Sequence, residues 1–356
     1  MADKVMVGMS GGVDSSVAAM LLLDAGCECV GVTLKLYAPA EPGPEGRRTC
    51  CSLDDVEDAR SAAFRLGMPH YVLNETEAFD RCVVRHFVKT YEAGGTPNPC
   101  IECNRHLKFT AMLRRAQELG CGYIATGHYA RVRRREDGRY LLLRGADRAK
   151  DQSYVLYMLT QEQLAHTKLP LGELTKAQVR AFAADRGLLN AKKRDSQDIC
   201  FVPDGDYEAF IRRYTGRDYP PGDFVDEEGN VLGRHRGLIA YTVGQRRGLG
   251  VSGGRPLYVC RKDTESNRVV LSDNDRLFSD RLTARGVNLI DRDAIDGPLR
   301  CTAKIRYSHG EAPCAVTQTD TDELTVVFDE PQRAITAGQA VVLYDGETVI
   351  GGGTIV

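Results

Sequence analysis

The sequence lacks any apolar run long enough to cross a membrane. The run Val17–Leu23 spans only seven residues, whereas a membrane helix needs roughly 18 or more. The first residues, MADKVMVGMSGG, reach a glycine-rich turn where a signal peptide would still require its hydrophobic stretch. We therefore expect a cytosolic protein with no membrane partner.

The chain also has almost no net charge. Its 47 Lys and Arg residues and 49 Asp and Glu residues give a formal charge of −2, which excludes attraction of nucleic acid by the molecule as a whole. The charges are unevenly spread, however. Ile101–Lys150 carries twelve basic and five acidic residues, and Glu311–Val356 carries one basic and eight acidic residues. This asymmetry predicts a localised site for a polyanion.

The composition excludes a disordered chain and favours several globular domains. Hydrophobic residues make up 42% and charged residues 27% of the 356 positions, ordinary values for a folded protein. A chain of this length predicts two or three domains. Twelve cysteines without a secretion signal indicate reduced thiols with a chemical or metal-binding use rather than a disulfide framework.

The first half alternates strand and helix patterns. The pattern predicts a strand over Lys4–Met9, a helix over Ser15–Ala25 and a strand over Cys29–Tyr37. Further along it predicts a helix over Leu107–Leu119 and a strand over Cys121–Thr126. Strands separated by helices pair in parallel, so we predict an open α/β sheet.

Beyond about residue 200 the pattern becomes mostly β. Short apolar runs such as Leu238–Gln245 alternate with turn signals, and the Asp345-Gly346 pair predicts a hairpin in the last run. This tail is expected to form a barrel. The predicted domains are 1–205, 206–280 and 281–356.

A glycine- and serine-rich segment lies between the first predicted strand and helix. Small residues let backbone N–H groups approach an anion, and the helix N-terminus supplies a positive dipole. No Lys follows the glycines, and their spacing fits neither the Walker loop nor the dinucleotide-binding fingerprint. The segment therefore predicts a phosphate site unlike those of kinases, GTPases and Rossmann dehydrogenases. The alternative is a simple serine-capped turn.

The stretch SGGVDSS within this segment resembles the signature of ATP pyrophosphatases, which hold pyrophosphate while transferring AMP to a carbonyl oxygen. The resemblance implies that Asp14 helps to organise Mg²⁺ and the phosphates. It leaves open whether the chain is an amide-forming synthetase or a sulfur-inserting enzyme of tRNA. The implied ATP-binding residues of the turn are Gly8, Met9, Ser10, Gly11, Gly12, Val13, Asp14 and Ser15.

Cysteines stand out at two further places. In TPNPCIECN, two prolines predict a stiff loop that presents the thiols of Cys100 and Cys103. A CxxC pair alone could be half a zinc site, a redox pair or chance. Cys200, in DSQDICF, could equally be a buried structural cysteine.

Together, these segments resemble the tRNA-specific 2-thiouridylase family from end to end. Other stretches that carry the resemblance are ATGHYAR, KDQSY, GLIAYTVGQRRGLG and TAGQAVVLYDGE. The resemblance implies an adenine-nucleotide-alpha-hydrolase-like parallel-sheet domain, a small central domain and a C-terminal β-barrel. It implies ATP-dependent replacement of the 2-oxygen of the wobble uridine by sulfur, with Cys103 as nucleophile and Cys200 as the persulfide carrier.

The same resemblance implies contacts for both substrates. Leu34 and Gly127 are expected at the adenosine. The implied tRNA-binding residues, of which the first three meet the target base, are Asn98, Pro99, Cys100, His128, Lys150, Asp151, Gln152, Arg306, Tyr307 and Gln339. The target uridine must swing out of the anticodon stack, because sulfur cannot reach a stacked base edge.

Cys100 departs from the family pattern, in which many members have Asp at this position. A catalytic role of that carboxylate cannot be transferred to a thiol. The trio of Cys100, Cys103 and Cys200 could hold a [4Fe–4S] cluster with one open iron, which would bind hydrosulfide. Zinc on the trio and a metal-free persulfide relay are the alternatives. Cys50 and Cys51 receive no role.

The partners are expected to be a tRNA with a modifiable wobble uridine and a sulfur donor. The donor could be a cysteine desulfurase, a relay protein or inorganic sulfide. Two other classes stay open: an amide-forming ATP pyrophosphatase with incidental cysteines, and a zinc-stapled RNA-binding protein without turnover.

Overall fold

The computed structural model describes residues 2–37, 53–188, 190, 199–251 and 254–356. Cys50 and Cys51, and the residues 195–198 that precede Cys200 in its motif, lie outside these ranges. The helices are α1 Val13–Asp24, α2 Leu53–Arg65, α3 Thr76–Phe79, α4 Arg85–Glu92, α5 Pro99–Cys103, α6 Met112–Glu118, α7 Gln161–Ala165, α8 Lys176–Asp185 and α9 Tyr207–Thr215. Stretches of π-helix, Asp80–Val84 and Asn104–Ala111, join α3 to α4 and α5 to α6.

The strands of the described residues fall into three sheets. They are β1 Lys4–Gly8, β2 Glu28–Lys35, β3 His70–Asn74, β4 Tyr123–Ala125, β5 Ala130–Arg134, β6 Tyr140–Arg144, β7 Thr167–Lys168, β8 Gly222–Val225, β9 Val231–His235, β10 Tyr258–Asp263, β11 Arg268–Ser272, β12 Phe278–Leu289, β13 Leu299–Lys304, β14 Ala312–Asp320, β15 Glu323–Arg333, β16 Ala340–Asp345 and β17 Thr348–Ile355. Within the described ranges, no helix is long and apolar enough to span a bilayer.

The first sheet confirms the predicted open parallel architecture. Its strand order is β3-β2-β1-β4-β7, with parallel pairing throughout. Val5, Met6 and Val7 of β1 are fully buried, which explains why this strand has a continuous apolar run rather than alternation. The strand order reverses at β1 and β4, and such a switch point opens a crevice at the carboxyl ends of the strands.

The segment around the cysteine pair is helical, so the prediction of a stiff loop was wrong at Cys100 and Cys103. The helix predicted over Leu107–Leu119 in fact continues back through the π-helical stretch to Pro99. The Asn98 side chain accepts a hydrogen bond from the Cys100 N–H at 3.1 Å. An Asn N-cap followed by Pro at the first helical position is a helix start, and the two prolines concealed it.

Strands β8 to β11, which lie in sequence between the parallel sheet and the barrel strands, form a small sheet of order β10-β11-β8-β9. The strand predicted over Leu238–Gln245 is wrong. Leu238–Ala240 forms a 3₁₀ turn, the Tyr241 N–H bonds to the Leu238 carbonyl, and the Gln245 N–H bonds to the Thr242 carbonyl. Local turn bonds therefore replace a strand ladder over most of this stretch, although buried and half-buried side chains alternate over 238–242. Only its end pairs with β10, where the Gly244 N–H donates to the Val259 carbonyl and the Gln245 carbonyl accepts from the Val259 N–H.

The described part of the tail forms a closed antiparallel barrel, as predicted. The order is β12-β15-β14-β13-β16-β17, and β17 pairs with β12 to close it. Val326, Leu343 and Ile350 are fully buried in its core. The predicted hairpin is present, with Asp345 paired to Thr348 across the turn.

The hairpin β5–β6 extends this sheet through pairing of Leu143 with Thr348, which the sequence did not predict. Basic side chains of this hairpin region meet acidic side chains of the tail. The ion pairs are Arg131–Glu347, Arg139–Asp293, Arg144–Glu311 and Arg148–Glu347. These intramolecular ion pairs neutralise part of the excess positive charge of residues 101–150. Less positive charge is therefore available for the polyanion site that was predicted from this excess.

Candidate active site

A cavity of about 700 Å³ opens at the carboxyl ends of β1, β2 and β4. The residues of the glycine- and serine-rich turn that line it are Gly8, Met9, Ser10, Gly12, Val13, Asp14 and Ser15. Other predicted site residues that line it are Leu34, Pro99, Cys100, Cys103, Gly127, His128, Lys150, Gln152, Cys200 and Tyr307. The structure thus brings together residues separated by almost the whole length of the chain.

The turn before α1 is held by its own serines and by a neighbouring segment. Ser15 Oγ donates to the Gly12 carbonyl at 3.1 Å and accepts from the Ser10 N–H at 3.2 Å. Gly11 has φ of +71°, and a Cβ there would lie 2.3 Å from the Asp55 carbonyl oxygen. Only glycine fits this position. The turn therefore presents the N-terminus of α1 to the cavity in a fixed shape suited to phosphate.

Asp14 lies in the first turn of α1 and has two side-chain partners. Lys176 Nζ is 2.8 Å from both carboxylate oxygens, and Tyr129 Oη donates to Oδ1 at 2.8 Å. Lys176 reaches Asp14 because α8 packs on α1, with Val17 and Val179 in one apolar cluster.

Gly127 follows β4 and packs against the phosphate turn. A Cβ at this position would lie 2.8 Å from the Asp14 carbonyl carbon and from the Ser15 nitrogen. The sequence analysis placed Gly127 at the adenosine by resemblance. The structure shows that the turn itself already requires a glycine here.

His128 is buried beside this glycine. Its Nδ1 lies 2.8 Å from Thr126 Oγ1. Burial holds the pKa of His128 well below its usual range, and the charge of Lys108 acts in the same direction. His128 therefore lines the cavity as a neutral imidazole, able to donate or accept a hydrogen bond but not to provide a positive charge.

The three cysteines of the predicted trio all line the cavity. Cys100 and Cys103 stand three residues apart in α5, Cys100 exposed and Cys103 only 8% exposed. Cys200 is half-buried and packs, like Cys103, in the apolar cluster around Phe201. Across the described residues, no three Cys, His, Asp or Glu side chains are placed to hold a metal ion. In this conformation the trio therefore does not fit a cluster or zinc.

A second cavity of about 280 Å³ lies beside the first and shares Tyr307 with it. Gln339 Nε2 donates to the Thr96 carbonyl at 2.8 Å, and Arg306 donates to Thr336 Oγ1 at 2.8 Å. Burial lowers the pKa of Arg306, and the charge of Arg333 adds to this effect. The barrel thus contributes polar groups next to the main cavity. The lining is Thr96, Thr242, Arg306, Tyr307, Ser308, Thr336 and Gln339.

Three predicted site residues line neither cavity. Gly11 shapes the phosphate turn, and Asn98 caps α5. Asp151 accepts from the Gly145 N–H at 3.0 Å and from the Ser153 N–H and hydroxyl. The Asp151 carboxylate thus holds the backbone of the segment that carries Lys150 and Gln152.

Sequence reasoning missed Lys176 and Asn190. Asn190 Nδ2 donates to the Gly11 carbonyl at 3.2 Å and to Ser16 Oγ at 2.9 Å. The T-x-x-Q capping box at Thr175 predicts a helix start at Lys176. Nothing in the sequence, however, pairs that lysine with a carboxylate 162 residues away.

The parallel sheet, its switch point and the phosphate turn define an α/β nucleotide-binding enzyme of the ATP pyrophosphatase class. Three family models match the chain. They describe a tRNA methyl transferase HUP domain over residues 3–204, a tRNA methyl transferase PRC-barrel domain over 208–273 and an aminomethyltransferase beta-barrel domain over 279–355.

Relatives of known name match over the full length. The tRNA-specific 2-thiouridylase MnmA of Acetivibrio thermocellus is 51% identical over 356 residues, covering 99% of each chain. The protein of that name from Moorella thermoacetica is 52% identical, and the match covers 98% of this chain and 98% of the relative. That of Clostridioides difficile is 49% identical, and the match covers 100% of this chain and 98% of the relative. The chain belongs to the tRNA-specific 2-thiouridylase family, which confirms the resemblance stated from its motifs.

Solved structures align over part of the chain. A 4-thiouridine synthetase in complex with RNA and ATP is 18% identical, with a TM-score of 0.39, over 56% of this chain and 45% of that one. The NMN synthetase of Francisella tularensis is 19% identical, with a TM-score of 0.34, over 60% and 77%.

Proposed function

We propose that this protein catalyses ATP-dependent 2-thiolation of the wobble uridine of tRNA, releasing AMP and pyrophosphate. The observation that carries the proposal is a single cavity lined by both the phosphate turn and the thiols of Cys103 and Cys200. Membership of the 2-thiouridylase family and full-length relatives of that name support it. An amide-forming reaction would not require two cysteines beside the nucleotide site.

ATP activates the base before sulfur arrives. The uracil 2-oxygen attacks the α-phosphorus, pyrophosphate leaves, and C2 then carries AMP as a leaving group in place of a very poor oxide. The backbone of 8–15 holds the phosphates, and Leu34 and Gly127 meet the adenosine. Asp14 offers the carboxylate oxygens that Mg²⁺ prefers, and the metal ion neutralises charge on the phosphates when it is bound.

Sulfur transfer uses the two thiols in turn. The terminal sulfur of a Cys200 persulfide attacks C2, and AMP departs with the C–O bonding electrons. The Cys103 thiolate then attacks the inner sulfur of Cys200. This breaks the persulfide bond, leaves sulfur on C2 and forms a Cys103–Cys200 disulfide. An external dithiol reduces that disulfide, and a cysteine desulfurase or a relay protein then transfers sulfane sulfur from its own persulfide to the Cys200 thiolate. Inorganic sulfide instead enters without the dithiol: hydrosulfide attacks Cys200 Sγ of the disulfide, which forms the Cys200 persulfide and releases the Cys103 thiolate.

The relay requires no metal ion on the thiols. A [4Fe–4S] cluster or zinc on Cys100, Cys103 and Cys200 would require the trio to converge, which it does not do here. Iron and acid-labile sulfide in anaerobically purified protein distinguish these alternatives. Iron-free protein that thiolates tRNA supports the relay, and thiolation that scales with bound iron supports the cluster.

The tRNA contacts surround the cavity. Asn98, Pro99 and Cys100 meet the flipped uridine, and His128 and Lys150–Gln152 contact the neighbouring RNA. Arg306, Tyr307 and Gln339 extend the contact onto the barrel, where Tyr307 borders both cavities.

The chain divides into a catalytic domain over 1–205, a central tRNA-binding domain over 206–280 and a barrel over 281–356. The extents of the three family matches support these boundaries. The full chain acts in the cytosol, where its thiols stay reduced.

The decisive experiment measures thionucleosides and pyrophosphate from the full-length protein, ATP, tRNA and a donor of sulfane sulfur, namely a cysteine desulfurase with cysteine. We expect 2-thiouridine and tRNA-dependent pyrophosphate release. A tRNA identical except for cytidine at the wobble position is the matched control and should give neither product. Pyrophosphate release that depends on an added amine and not on tRNA would instead indicate an amide-forming enzyme. No turnover would indicate an RNA-binding protein.

A further inference from the structure

The Asp14 carboxylate has close partners among the side chains of the protein itself. Lys176 Nζ lies 2.8 Å from both of its oxygens, and Tyr129 Oη donates to Oδ1 at 2.8 Å. An ionised carboxylate accepts about four hydrogen bonds. Three of these positions are taken by these two side chains, and the charge of Asp14 is balanced by the ammonium group.

The structure holds Lys176 firmly in this position. Thr175 caps α8 through a reciprocal bond with Gln178, and the Lys176 N–H donates to Asp147 Oδ2 at 3.0 Å. The Lys176 side chain is only 12% exposed and that of Asp14 30% exposed. An ion pair shielded from water to this degree is screened less by salt than one on the open surface.

We propose that Lys176 is a positioning residue that acts as the resident counter-charge of Asp14 and competes with Mg²⁺ for its carboxylate. The inference rests on the proposed function, in which Asp14 organises Mg²⁺ and the phosphates. A magnesium ion binds carboxylate oxygens at about 2.1 Å. At the one position left on the carboxylate it comes close to the ammonium group, so it must either overcome the repulsion between the two cations or displace the ammonium group.

The competition makes metal binding depend on the nucleotide. A lone Mg²⁺ must overcome the repulsion of the Lys176 ammonium group, and it gains only the ligands that the cavity lining offers. The triphosphate brings further oxygen ligands and negative charge. Metal ion and ATP together therefore overcome the competition from Lys176, whereas the metal ion alone does not. Lys176 thereby keeps the empty site from trapping a metal ion and keeps Asp14 oriented toward the cavity.

The test measures the affinity of the nucleotide-free, full-length protein for Mn²⁺. The electron paramagnetic resonance signal of free Mn²⁺ reports how much of the metal ion is bound. Lys176→Met removes the competing charge, and we expect the variant to bind Mn²⁺ about tenfold more tightly than the wild type, a difference equivalent to about 1.4 kcal/mol. Adding Asp14→Asn to this variant should abolish the gain. Lys176→Arg should keep the wild-type affinity, because it keeps a cation beside the carboxylate.

Lys4→Met is the matched control, because Lys4 also pairs with a carboxylate, that of Glu28 at 3.2 Å, but lies outside the cavity lining. It should leave Mn²⁺ affinity unchanged. Lys176→Gln gives a second neutral variant should Lys176→Met fail to fold, and the same tightening is expected. Equal Mn²⁺ affinity of the wild type and a folded neutral variant would overturn the proposal.

This readout needs neither tRNA nor sulfur. Wild-type protein that thiolates tRNA while the neutral variants show no gain would refute the role of Lys176 and leave the proposed function intact. If the neutral variants bind Mn²⁺ more tightly but the wild-type protein makes no 2-thiouridine, the role of Lys176 stands and the proposed function is refuted.

Discussion

The carboxyl edge of the parallel sheet and the C-terminal barrel are built by different rules. At the sheet edge, glycines without room for a Cβ and buried polar side chains fix the backbone of the phosphate turn. In the barrel, alternating apolar residues such as Val326, Leu343 and Ile350 fill one core. The edge is therefore sensitive to the position of single atoms, whereas the barrel depends on the total apolar volume that it buries.

The two regions are not independent, because the barrel completes the site. Tyr307 borders both cavities, and Gln339 bonds to the backbone of Thr96 ahead of the cysteine helix. The hairpin β5–β6 also joins the barrel sheet through Leu143. These contacts come from the rim of the barrel and not from its core, so a substitution in the barrel core should change stability, whereas one at the sheet edge should change chemistry. The following predictions test this difference.

The largest effect is expected at Cys200. Cys200→Ser should abolish thiolation, because a hydroxyl cannot carry a persulfide, while tRNA affinity stays near the wild-type value. Mass spectrometry of nucleosides and filter binding of tRNA measure the two quantities. Cys82→Ser is the control, because Cys82 packs against the same apolar cluster without lining the cavity, and it should thiolate normally. Equal loss of thiolation and tRNA binding in Cys200→Ser would mean that Cys200 is structural.

In the barrel, Leu343→Ala should destabilise the fold without altering the chemistry. Leu343 is fully buried, so the truncation should lower the free energy of unfolding by about 2–5 kcal/mol. Urea denaturation measures this change, and ATP affinity under native conditions should stay unchanged. Val356→Ala, at a residue 59% exposed, should cost less than about 0.5 kcal/mol. Weaker ATP binding in natively folded Leu343→Ala would show that the barrel core is coupled to the nucleotide site.

At the sheet edge, Gly127→Ala should weaken ATP binding in addition to its cost in stability. Its Cβ would lie 2.8 Å from backbone atoms of Asp14 and Ser15, and overpacking of this kind costs about 1–3 kcal/mol. Strain on the phosphate turn should weaken ATP binding roughly tenfold or more, as measured by calorimetry. A Cβ at Gly122 meets nothing within 4 Å, so Gly122→Ala should bind ATP normally. Normal affinity in both variants would contradict the tight packing of the turn.

The smallest effect concerns pH. Burial lowers the pKa of His128 from 6.5, so the native protein keeps this imidazole neutral while the unfolded chain takes up a proton below pH 6.5. The contribution of His128 to stability is thus complete above pH 6.5 and decreases as the pH falls below it. When the pH is lowered from about 7.5 to about 5.5, the free energy of unfolding should fall less in His128→Gln than in the wild type. Urea denaturation at both pH values measures the difference.

A loss of stability between these two pH values that is the same in His128→Gln and in the wild type would mean that burial does not hold the imidazole of His128 neutral.

The sequence predicted the site residues that belong to short motifs, and it missed residues outside those motifs, Lys176 and Asn190. The turn 8–15, the Cys100–Cys103 pair and Cys200 were all recognised, because each has a local pattern. The N-cap at Asn98 also has a local pattern, Asn followed by Pro, but the two prolines led to the prediction of a loop. The strand predicted over Leu238–Gln245 failed because alternating burial also fits a chain of turns.

The sequence by itself determined the parallel α/β sheet, the barrel and the phosphate turn, because hydrophobic periodicity and glycine placement act over a few residues. Only the tertiary structure decided that Lys176 neutralises Asp14 and that basic residues of the β5–β6 hairpin pair with the acidic barrel. Such pairs join residues far apart in the chain, and they depend on how helices and sheets pack, which no local pattern records.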